Sequence, residues 1–386
     1  MKSRIGIQIL AISLMFLAAC GGGGGGSSSS TTSSTTSSTG TINVALTDAS
    51  TTDYQAIYVT VKQVEVHKDG GESWDVISSP NKTYNLLELV NGVREELALA
   101  TLTSGHYTQM RLILADTPDD SLNIRSVKHP YGNYFIDSSG VSNELKVPSG
   151  YQTGIKIVKG FDINANATTE LILDFDATRS IVKAGKSGKW LLKPTIKMLA
   201  TKECSIIVGN AGAEGILVSA QIYDSSAAAE EKVQIQAATV SDASGNYKLF
   251  LEPGSYTLVG YKDGYSTYYK NTKVVTTSGN TFTENFSLVS AQTGTLSSGT
   301  ISISGADSEQ YSTISIRQEA TVSGNVEQIE VKSLNVADGG TFSTSLPVLS
   351  VGNYTLVISS YGKTTQEITL ISITSGLTTD LGDITF

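Results

Sequence analysis

The stretch that decides the fold of this chain is DASGNYKLFLEPGSYTL, residues 242–258. Its closing G-S-Y-T returns as G-H-Y-T from Gly105 and as G-N-Y-T from Gly352. In each copy an apolar run ends in a turn with glycine, which accepts backbone angles that other residues resist, and Tyr and Thr open a new strand. Pro253 before Gly254 suits the corner of a type II turn. The repeated unit predicts an all-β protein built from tandem β-sandwich modules.

The N-terminus has the features of an export signal. Lys2 and Arg4 precede an apolar run over residues 5–19 that ends in Leu-Ala-Ala before Cys20. This run is shorter than the about 20 residues that a membrane-spanning helix needs, so residues 1–19 are predicted to be a signal peptide. The Leu-Ala-Ala-Cys sequence resembles the lipobox of bacterial lipoproteins. The resemblance implies lipidation of Cys20, and Gly21 after it favours the outer membrane or cell surface.

Residues 20–40 contain the lipidated Cys and a flexible linker. Six glycines at 21–26 precede a Ser/Thr tract at 27–39, a composition with no apolar surface to bury and little stiffness. The lipid anchor is expected to hold the chain on the membrane, while this tether keeps the folded modules clear of the lipid headgroups.

The remaining length is enough for two or three domains. Small and polar residues separate the predicted strands at 201–215 and 290–299, and we place domain boundaries there. The predicted domains are residues 41–203, 204–290 and 291–386. The net charge of the chain is −9, and its acidic excess lies after residue 203. Nucleic acid, which requires a clustered basic face, is therefore excluded as a partner. With Cys20 lipidated, Cys204 has no disulfide partner and is expected to be a small buried residue.

The first segment is predicted to contain many short strands. Alternation over Ile57, Val59 and Val61 slips by one residue before Val64, which indicates a β-bulge near Lys62. Further strands are expected over residues 106–114, 153–163, 169–175 and 189–198, and residues 91–100 are the only candidate helix. Short alternating strands with polar turns predict a sandwich or a barrel.

Several motifs of this segment resemble a bacterial domain family of unknown function found in Gly/Ser-tethered lipoproteins. They are GTINVALTDA at 40–49, YVTVKQVEVHKDGGESW at 58–74, LTSGHYTQMRLIL at 102–114, and TTELILDFDATRSIV with KWLLKP between 168 and 194. Ser50 departs from the family, which usually has Pro there. The resemblance identifies a domain and implies no activity, substrate or catalytic residue.

Residues 204–290 resemble the carboxypeptidase regulatory-like domain, a transthyretin-like sandwich grouped with carbohydrate-binding-like folds. The resemblance rests on Asp242, Gly245, Tyr247, the Pro253-Gly254 turn and Tyr256. It implies an accessory module without catalytic residues, for which sugar binding is an association of the fold group. Residues 291–386 show the same strand pattern more faintly and are predicted to be a third, Ig-like or transthyretin-like sandwich.

The residue types that carry catalysis or bind metals are not grouped in the sequence. His67, His106 and His129 are widely spaced and lack the pairing with each other or with Cys that metal sites use. The sequence therefore predicts no catalytic residue, metal or cofactor, and the protein is not expected to be an enzyme. A β-sandwich can host carboxylate chemistry that spacing does not reveal, so an enzyme remains an open alternative.

Two groups of acidic residues are the candidates for calcium binding. Asp174 and Asp176 alternate with apolar residues of one predicted strand, so both carboxylates face away from the core, and Asp116, Asp119 and Asp120 crowd a turn. Calcium takes about six to eight oxygen ligands, but neither group has the spacing of a dedicated calcium loop. An exposed strand face and a solvated loop are the favoured interpretations.

One cluster exceeds what a sandwich core requires. Tyr261, Tyr268 and Tyr269 lie close to Asp263 and Lys270, and aromatic rings can stack on sugar rings while polar neighbours fix their orientation. Tyrosine is also a common strand residue, which favours a structural role for part of the cluster. Tyr268 and Tyr269 are the best binding candidates, because adjacent strand residues cannot both face the core.

Three functions from different classes follow from these observations. The favoured one is a membrane-anchored, surface-exposed lipoprotein that acts as a non-catalytic binding or adhesion module, with a polysaccharide as the candidate ligand. The alternative is a structural or assembly component of the cell envelope that contacts an envelope protein through strand edges. An enzyme is the third and least favoured.

Overall fold

The computed structural model describes residues 38–49, 54–147, 151–183, 189–305 and 310–386. Within these ranges the chain is built almost entirely from β-strands, which confirms the all-β fold of tandem sandwiches. No helix of the described ranges is long and apolar enough to cross a membrane. The predicted signal peptide, Cys20 and nearly all of the tether lie outside the described residues.

The first domain, residues 38–203, is a sandwich of two sheets. One has the strand order β14-β11-β1-β5, and the other follows the path β10-β6-β2-β7-β8-β13-β12, with β3 and β4 on β2 and β9 on β6. Alternate residues of β1 and β2, such as Val44 and Val59, meet in one core between the sheets. The elements are β1 Thr39–Ala49, β2 Tyr54–Lys68, β3 Asp75–Ser78, β4 Lys82–Asn85, β5 Glu95–Thr103, β6 Gly105–Leu114, β7 Asn133–Asp137, β8 Ser142–Lys146, β9 Ile155–Ile157, β10 Phe161–Ile163, β11 Thr168–Asp176, α1 Ala177–Ser180, β12 Ile181–Lys183, β13 Trp190–Leu192 and β14 Ile196–Ala200, with a 3-10 turn Leu86–Glu88.

Strand β1 begins two residues before the predicted start of this domain. Gly40 pairs with Leu102 of β5, and a side chain at Gly40 would stand 2.2 Å from the carbonyl oxygen of Asn164. Glycine therefore permits a close approach between the strand and the loop before β11. The last residues of the Ser/Thr/Gly tract belong to the sheet.

Two predictions about the first half of this domain can be compared with the structure. The β-bulge near Lys62 is confirmed, because the pairing of β2 with β6 shifts register between Val61 and Gln63. The short helix at residues 91–100 is wrong, since β5 starts at Glu95 and pairs antiparallel with β1. Pairing with β1 buries Leu97 and Ala98, which outweighs the local helix propensity.

The two long predicted strands near the end of the domain are interrupted. Residues 153–163 form β9 and β10, which both pair with β6, and residues 189–198 form β13 and β14, which belong to different sheets. Pro194 lies between β13 and β14 and cannot donate a backbone hydrogen bond to a ladder. Leu192 and Met198 nevertheless reach the same core from the two sheets.

The second domain, residues 204–290, pairs a small sheet of order β18-β15-β22 with a sheet of order β17-β16-β19-β20, in which β21 also pairs with β19. Tyr247 and Leu249 of β18 and Tyr256 and Leu258 of β19 fill the core between them, as the alternation predicts. The strands are β15 Ser205–Asn210, β16 Leu217–Tyr223, β17 Val233–Val240, β18 Asn246–Leu251, β19 Gly254–Tyr261, β20 Tyr268–Tyr269, β21 Val274–Thr276 and β22 Thr281–Thr283, with a 3-10 turn Ala229–Glu231.

The third domain, residues 291–386, has a four-stranded sheet of order β26-β25-β28-β29 facing two small sheets, β27-β23-β30 and β24-β31. Ile314, Ile316, Leu356 and Ile358 fill its core from the large sheet. The strands are β23 Thr293–Ser297, β24 Ile301–Ser302, β25 Tyr311–Val322, β26 Asn325–Ala337, β27 Ser343–Pro347, β28 Tyr354–Ser360, β29 Gln366–Ile371, β30 Thr378–Asp380 and β31 Ile384–Thr385.

The repeated G-x-Y-T has one structural role in all three domains. The tyrosines are at most 3% exposed, and each hydroxyl donates a hydrogen bond to a backbone carbonyl oxygen upstream: Tyr107 to Thr103 at 2.9 Å, Tyr256 to Glu252 at 2.6 Å and Tyr354 to Pro347 at 2.8 Å. This is the arrangement of a tyrosine corner, which fixes the turn between two sandwich strands.

The glycine of the repeat serves two purposes. Gly105 and Gly352 have φ values of 141° and 87°, which other residues rarely adopt. Gly254 is not among the positive-φ glycines, and a side chain there would stand 2.6 Å from the Tyr256 hydroxyl. The middle copy therefore needs glycine for space beneath the tyrosine, and the expected unusual backbone angle at this position is wrong.

Each sheet is formed within one of the three segments, and small apolar clusters join the segments to one another. Ile172 and Leu199 pack on Cys204 and Phe250 between the first two domains. Val182 and Leu191 of the first domain pack on Tyr311 of the third, and Val259 of the second packs on Val322 of the third. Cys204 is buried, as expected. The independent folding of the domains stays a prediction.

Candidate functional site

Tyr268 and Lys270 lie together on one side of the second domain. The ring of Tyr268 stacks on Phe286 with centroids 4.2 Å apart and an interplanar angle of 3°. Its hydroxyl donates to Glu284 Oε1 at 3.3 Å, and Lys270 Nζ contacts Glu284 Oε2 at 2.7 Å. Burial and the Glu284 carboxylate raise the pKa of Tyr268 to about 12. One ring face and the hydroxyl of Tyr268 are therefore engaged inside the domain.

Tyr269, Tyr261 and Asp263 lie where the second domain meets the third. Tyr269 packs beside Val259 on the cluster shared with the third domain. Tyr261 is 5% exposed, and its hydroxyl lies 2.7 Å from Asp263 Oδ1 and 3.2 Å from the carbonyl oxygen of Ser345. The predicted cluster is thus divided, with Tyr268 and Lys270 on one side and the other three residues at a domain contact.

The three histidines occupy separate parts of the first domain. His67 packs edge-on against Trp74, and His106 Nδ1 lies 2.8 Å from Asp162 Oδ1 at the surface. His129 is buried, with Nε2 3.1 Å from Ser121 Oγ and Nδ1 2.8 Å from the Tyr134 hydroxyl. Burial lowers the pKa of His129.

The carboxylate beside His129 contacts the serine and not the imidazole. Ser121 Oγ donates to Asp119 Oδ1 at 2.5 Å, and Asn123 Nδ2 donates to the Tyr134 hydroxyl at 3.2 Å. In a nucleophilic triad the carboxylate orients the histidine. The chain of hydrogen bonds at His129 instead fixes the loop between β6 and β7.

The two acidic groups have different surroundings. Asp120 is exposed and pairs with Lys128, whereas the face of β11 that carries Asp174 and Asp176 is covered by the other domains. Lys197, opposite Asp174 on β14, donates from Nζ to the carbonyl oxygens of Ile235 at 2.5 Å and Gln236 at 2.8 Å in the second domain. The prediction of an exposed strand face is wrong, because the alternation of β11 does not reveal that a second domain packs there.

Burial changes the acid–base properties of this face. It raises the pKa of Asp174 to about 7, and the Asp176 carboxylate adds to the increase while the Lys197 ammonium opposes it. Burial, with the Asp174 and Asp176 charges, also raises the pKa of Asp48 well above its usual range, and burial lowers the pKa of Lys197. No group of three or more His, Cys, Asp or Glu side chains among the described residues is arranged to hold a metal ion.

A second charged network joins all three domains. Glu330 of β26 accepts hydrogen bonds from Arg179 Nη2 of the first domain at 2.9 Å and from Ser315 Oγ at 2.6 Å. Arg317, opposite Glu330 in the β25–β26 ladder and 1% exposed, donates from Nε to Ser315 Oγ at 2.9 Å and from Nη1 to the Ala229 carbonyl of the second domain at 2.7 Å. We call these four side chains, Arg179, Ser315, Arg317 and Glu330, the junction network.

The junction network occupies the face of β25 opposite the core. Ile314 and Ile316 point into the third domain, so Ser315 and Arg317 point toward the other domains, and a β-bulge follows Ile316. Gln221 of the second domain completes the contact, because its amide donates to the Glu330 carbonyl at 2.7 Å and accepts from the Glu330 N–H at 2.9 Å. A side-chain amide thereby pairs with the edge of β26.

A wide groove opens beside the junction network. Its volume is about 580 Å³, and residues of all three domains line it. We define the junction groove by Lys193, Glu230, Gln310, Tyr311, Tyr361 and Lys363. A smaller cavity of about 270 Å³, lined by Arg179, Arg317 and Glu330, adjoins it and shares Glu230 and Tyr311.

The tyrosines of the junction groove are held by different means. Tyr311 packs on Val182 and Leu191, and the Lys193 ammonium lies 4.6 Å from its ring centroid. Tyr361 is 94% exposed at the turn between β28 and β29. Neither tyrosine was predicted to be a binding residue, because neither belongs to a local cluster in the sequence. The signal that could have identified Tyr361 is its position next to Gly362 in a short turn between two strands, because an aromatic residue in such a turn has no core to fill.

A second cavity of about 450 Å³ lies between the first and second domains. Four of its charged side chains form two pairs: His106 Nδ1 lies 2.8 Å from Asp162 Oδ1, and Lys159 Nζ contacts Glu252 across the domain boundary. Paired side chains of this kind stabilise the contact between domains. The junction groove, which adds a nearly fully exposed aromatic ring, is the better candidate for ligand binding.

One family model matches most of the first domain. Residues 39–194 match the model of a family described as a domain of unknown function, DUF4382. This confirms an N-terminal domain of unknown function and gives it no activity. The sequence matches no curated protein. The resemblance of residues 204–290 to the carboxypeptidase regulatory-like domain stays a prediction.

Solved structures that resemble the chain include a streptococcal ancillary pilin, with 10% identity over 89% of this chain and 98% of the pilin, at a TM-score of 0.19. The minor pilin GBS52 of Streptococcus agalactiae has 14% identity over 47% of this chain and 95% of its own, at 0.16. The Bacillus anthracis TIE protein has 12% identity over 90% of this chain, at 0.17, and the chain spans 50% of its length. These scores support no inference about function.

Proposed function

We propose that this protein is a lipid-anchored envelope protein, at the outer membrane or cell surface, that acts as a non-catalytic binding or adhesion module for carbohydrate. The observation that carries the proposal is the junction groove, an open polar groove of about 580 Å³ with an exposed tyrosine, supported by three packed sandwich domains. Ligand grooves commonly form between domains, with a few aromatic and polar groups that orient the ligand.

The buried contacts between domains support a binding role. The junction network and the Gln221 amide use side chains of each domain to satisfy polar groups of another. Breaking such contacts leaves buried charges without partners, which is costly. The walls of the groove are therefore held in fixed relative positions, and a preformed site loses less entropy when it binds a ligand.

The strand edges of the third domain weigh against the assembly alternative. The β26 edge is paired at Glu330 with the Gln221 amide. The opposite edge strand, β29, shifts register against β28, and Leu370 has a φ of 60°. Covered edges and bulges are devices that prevent pairing with another chain. Strand addition at this sheet is therefore the less favoured function.

The lipid anchor is tested by replacing Cys20 with Ser and fractionating the cells. We expect the variant to leave the membrane fraction or to keep its precursor mass, because acyl chains contribute about 0.8 kcal/mol per buried methylene group and the variant has no acylated thiol. A variant that is processed and retained in membranes like the original protein would contradict the anchor.

The ligand class is tested by titrating the full chain, in detergent, with soluble dextran, laminarin, xylan and alginate. We expect the chain to bind at least one of these polysaccharides. Because few aromatic contacts are available, the dissociation constant should be nearer to about 1 mM than to about 1 nM. If the chain binds none of the four polysaccharides and cross-links to envelope proteins in intact cells, carbohydrate binding is contradicted and the assembly function is favoured.

A further inference from the structure

Tyr361 has the properties of a ligand platform. It is 94% exposed, and the turn that carries it is fixed by hydrogen bonds from Gln310 Nε2 to the Tyr361 carbonyl at 2.8 Å and from the Lys363 N–H to the Ser360 carbonyl at 3.0 Å. A large aromatic ring held in water on a fixed turn does not contribute to the core. Its apolar faces remain available for an external partner.

The surroundings of Tyr361 match a hydroxyl-rich ligand. Gln310, Thr313, Ser359 and Lys363 line the same groove, so hydrogen-bonding groups lie beside an aromatic face. Sugars present both an apolar ring face and a rim of hydroxyl groups, which this combination can contact together. The acidic excess of this half of the chain opposes nucleic acid.

The alternative surface at Tyr268 offers less. One of its ring faces is covered by Phe286 at 4.2 Å, and its hydroxyl is bound to Glu284. Tyr269 and Tyr261 belong to the contact between the second and third domains. The tyrosines that the sequence favoured therefore present less free ring surface than Tyr361.

We propose that the junction groove is the saccharide-binding site, with Tyr361 stacking on a sugar ring and Lys193 and Glu230 contacting hydroxyl groups from the opposite walls. This inference rests on the proposed carbohydrate-binding function and assigns it to a site. Since Lys193 belongs to the first domain, Glu230 to the second and Tyr361 to the third, the ligand contacts all three domains and stabilises their packing.

The test is titration of the full chain, in detergent, with whichever polysaccharide of the panel binds, comparing Tyr361→Ala, Tyr361→Phe and Glu230→Gln with the original protein. We expect Tyr361→Ala to weaken binding about 10-fold, Tyr361→Phe to retain most of it because the ring remains, and Glu230→Gln to weaken it a few-fold. Val351→Ala is the matched control, because Val351 is 89% exposed in the same domain and outside the groove.

The outcomes distinguish a wrong binding site from a wrong ligand class. Binding that survives Tyr361→Ala and is lost in Tyr268→Ala would overturn the groove as the site and leave the carbohydrate function in place. Binding unaffected by either substitution would also overturn the groove. No binding by the original protein to any polysaccharide of the panel would overturn both statements. Circular dichroism of Tyr361→Ala should match the original protein, since the exposed ring packs on no core.

Discussion

Replacing Glu330 with Ala should lower the free energy of unfolding by about 3–5 kcal/mol, the usual cost of removing one partner from a buried ion pair. Glu330 is 9% exposed and accepts hydrogen bonds from Arg179 and Ser315, so its loss removes the nearest carboxylate of the half-buried Arg179 and leaves the buried Arg317 guanidinium without this neighbouring charge. Because Arg179 belongs to another domain, the loss falls on the contact between domains. The measurement is urea denaturation of the purified full chain.

Two further variants separate charge from shape in this prediction. Glu330→Gln keeps the size and an acceptor oxygen, so an intermediate loss is expected. Asp120→Ala removes a fully exposed carboxylate that pairs with Lys128 at 3.2 Å, and no measurable change is expected. If Glu330→Ala and Asp120→Ala had the same unfolding midpoint, the junction network would not hold the domains together.

Replacing Asp174 with Asn should stabilise the protein at pH 8 and not at pH 4. Burial and the Asp176 carboxylate raise the pKa of Asp174 to about 7, although the Lys197 ammonium opposes the increase. The pKa of an Asp in the unfolded chain is about 3.9. Between these values the folded state binds more protons than the unfolded state. Stability therefore falls as pH rises from about 4 to about 7, and the charge of Asp174 opposes folding above that range.

The upper limit of this effect follows from the size of the shift. About three pKa units at about 1.4 kcal/mol each correspond to about 4 kcal/mol at pH 8, and coupling to Asp48 and Asp176 spreads the titration over more than one step. The measurement is the unfolding free energy of both proteins at pH 4, 6 and 8. A difference that does not grow with pH would contradict the raised pKa of Asp174.

Asp137→Asn is the control with the opposite sign. Hydrogen bonds from the Ser139 side chain and the Val141 N–H lower the pKa of this exposed carboxyl. Its contribution to stability is present above the unfolded pKa and is lost as pH falls. Asp137→Asn should therefore remove stability at neutral pH, whereas Asp174→Asn should add it.

The fold could be predicted from the sequence because its main signals are local. The G-x-Y-T repeat specifies a turn and a tyrosine corner within a few residues, and alternation over Ile57, Val59 and Val61 specifies a strand and its bulge. The helix predicted at residues 91–100 failed because β1, far away in sequence, supplies the pairing that makes a strand of Glu95–Thr103.

The site could not be predicted in the same way, because its parts are brought together by the packing of domains. Arg179, Ala229 and Glu330 are separated by many residues and meet only when three sandwiches are assembled. Asp174 has the same alternation as an exposed strand residue, and residues of the second domain, such as Ala237 and Phe250, lie beside it only in the folded chain. Tyr268 and Tyr269 belong to a dense cluster of tyrosines in the sequence, whereas Tyr361, which lines the groove, has no such neighbours in the sequence.

The central claim, that a saccharide binds where the three domains meet, is tested most directly by hydrogen–deuterium exchange of the full chain with and without a bound polysaccharide. The account predicts slower exchange together in residues 189–195, 228–233, 310–313 and 359–365, which contribute the walls of the junction groove and come from all three domains. Protection confined to residues 254–270, or to a single domain, would contradict it.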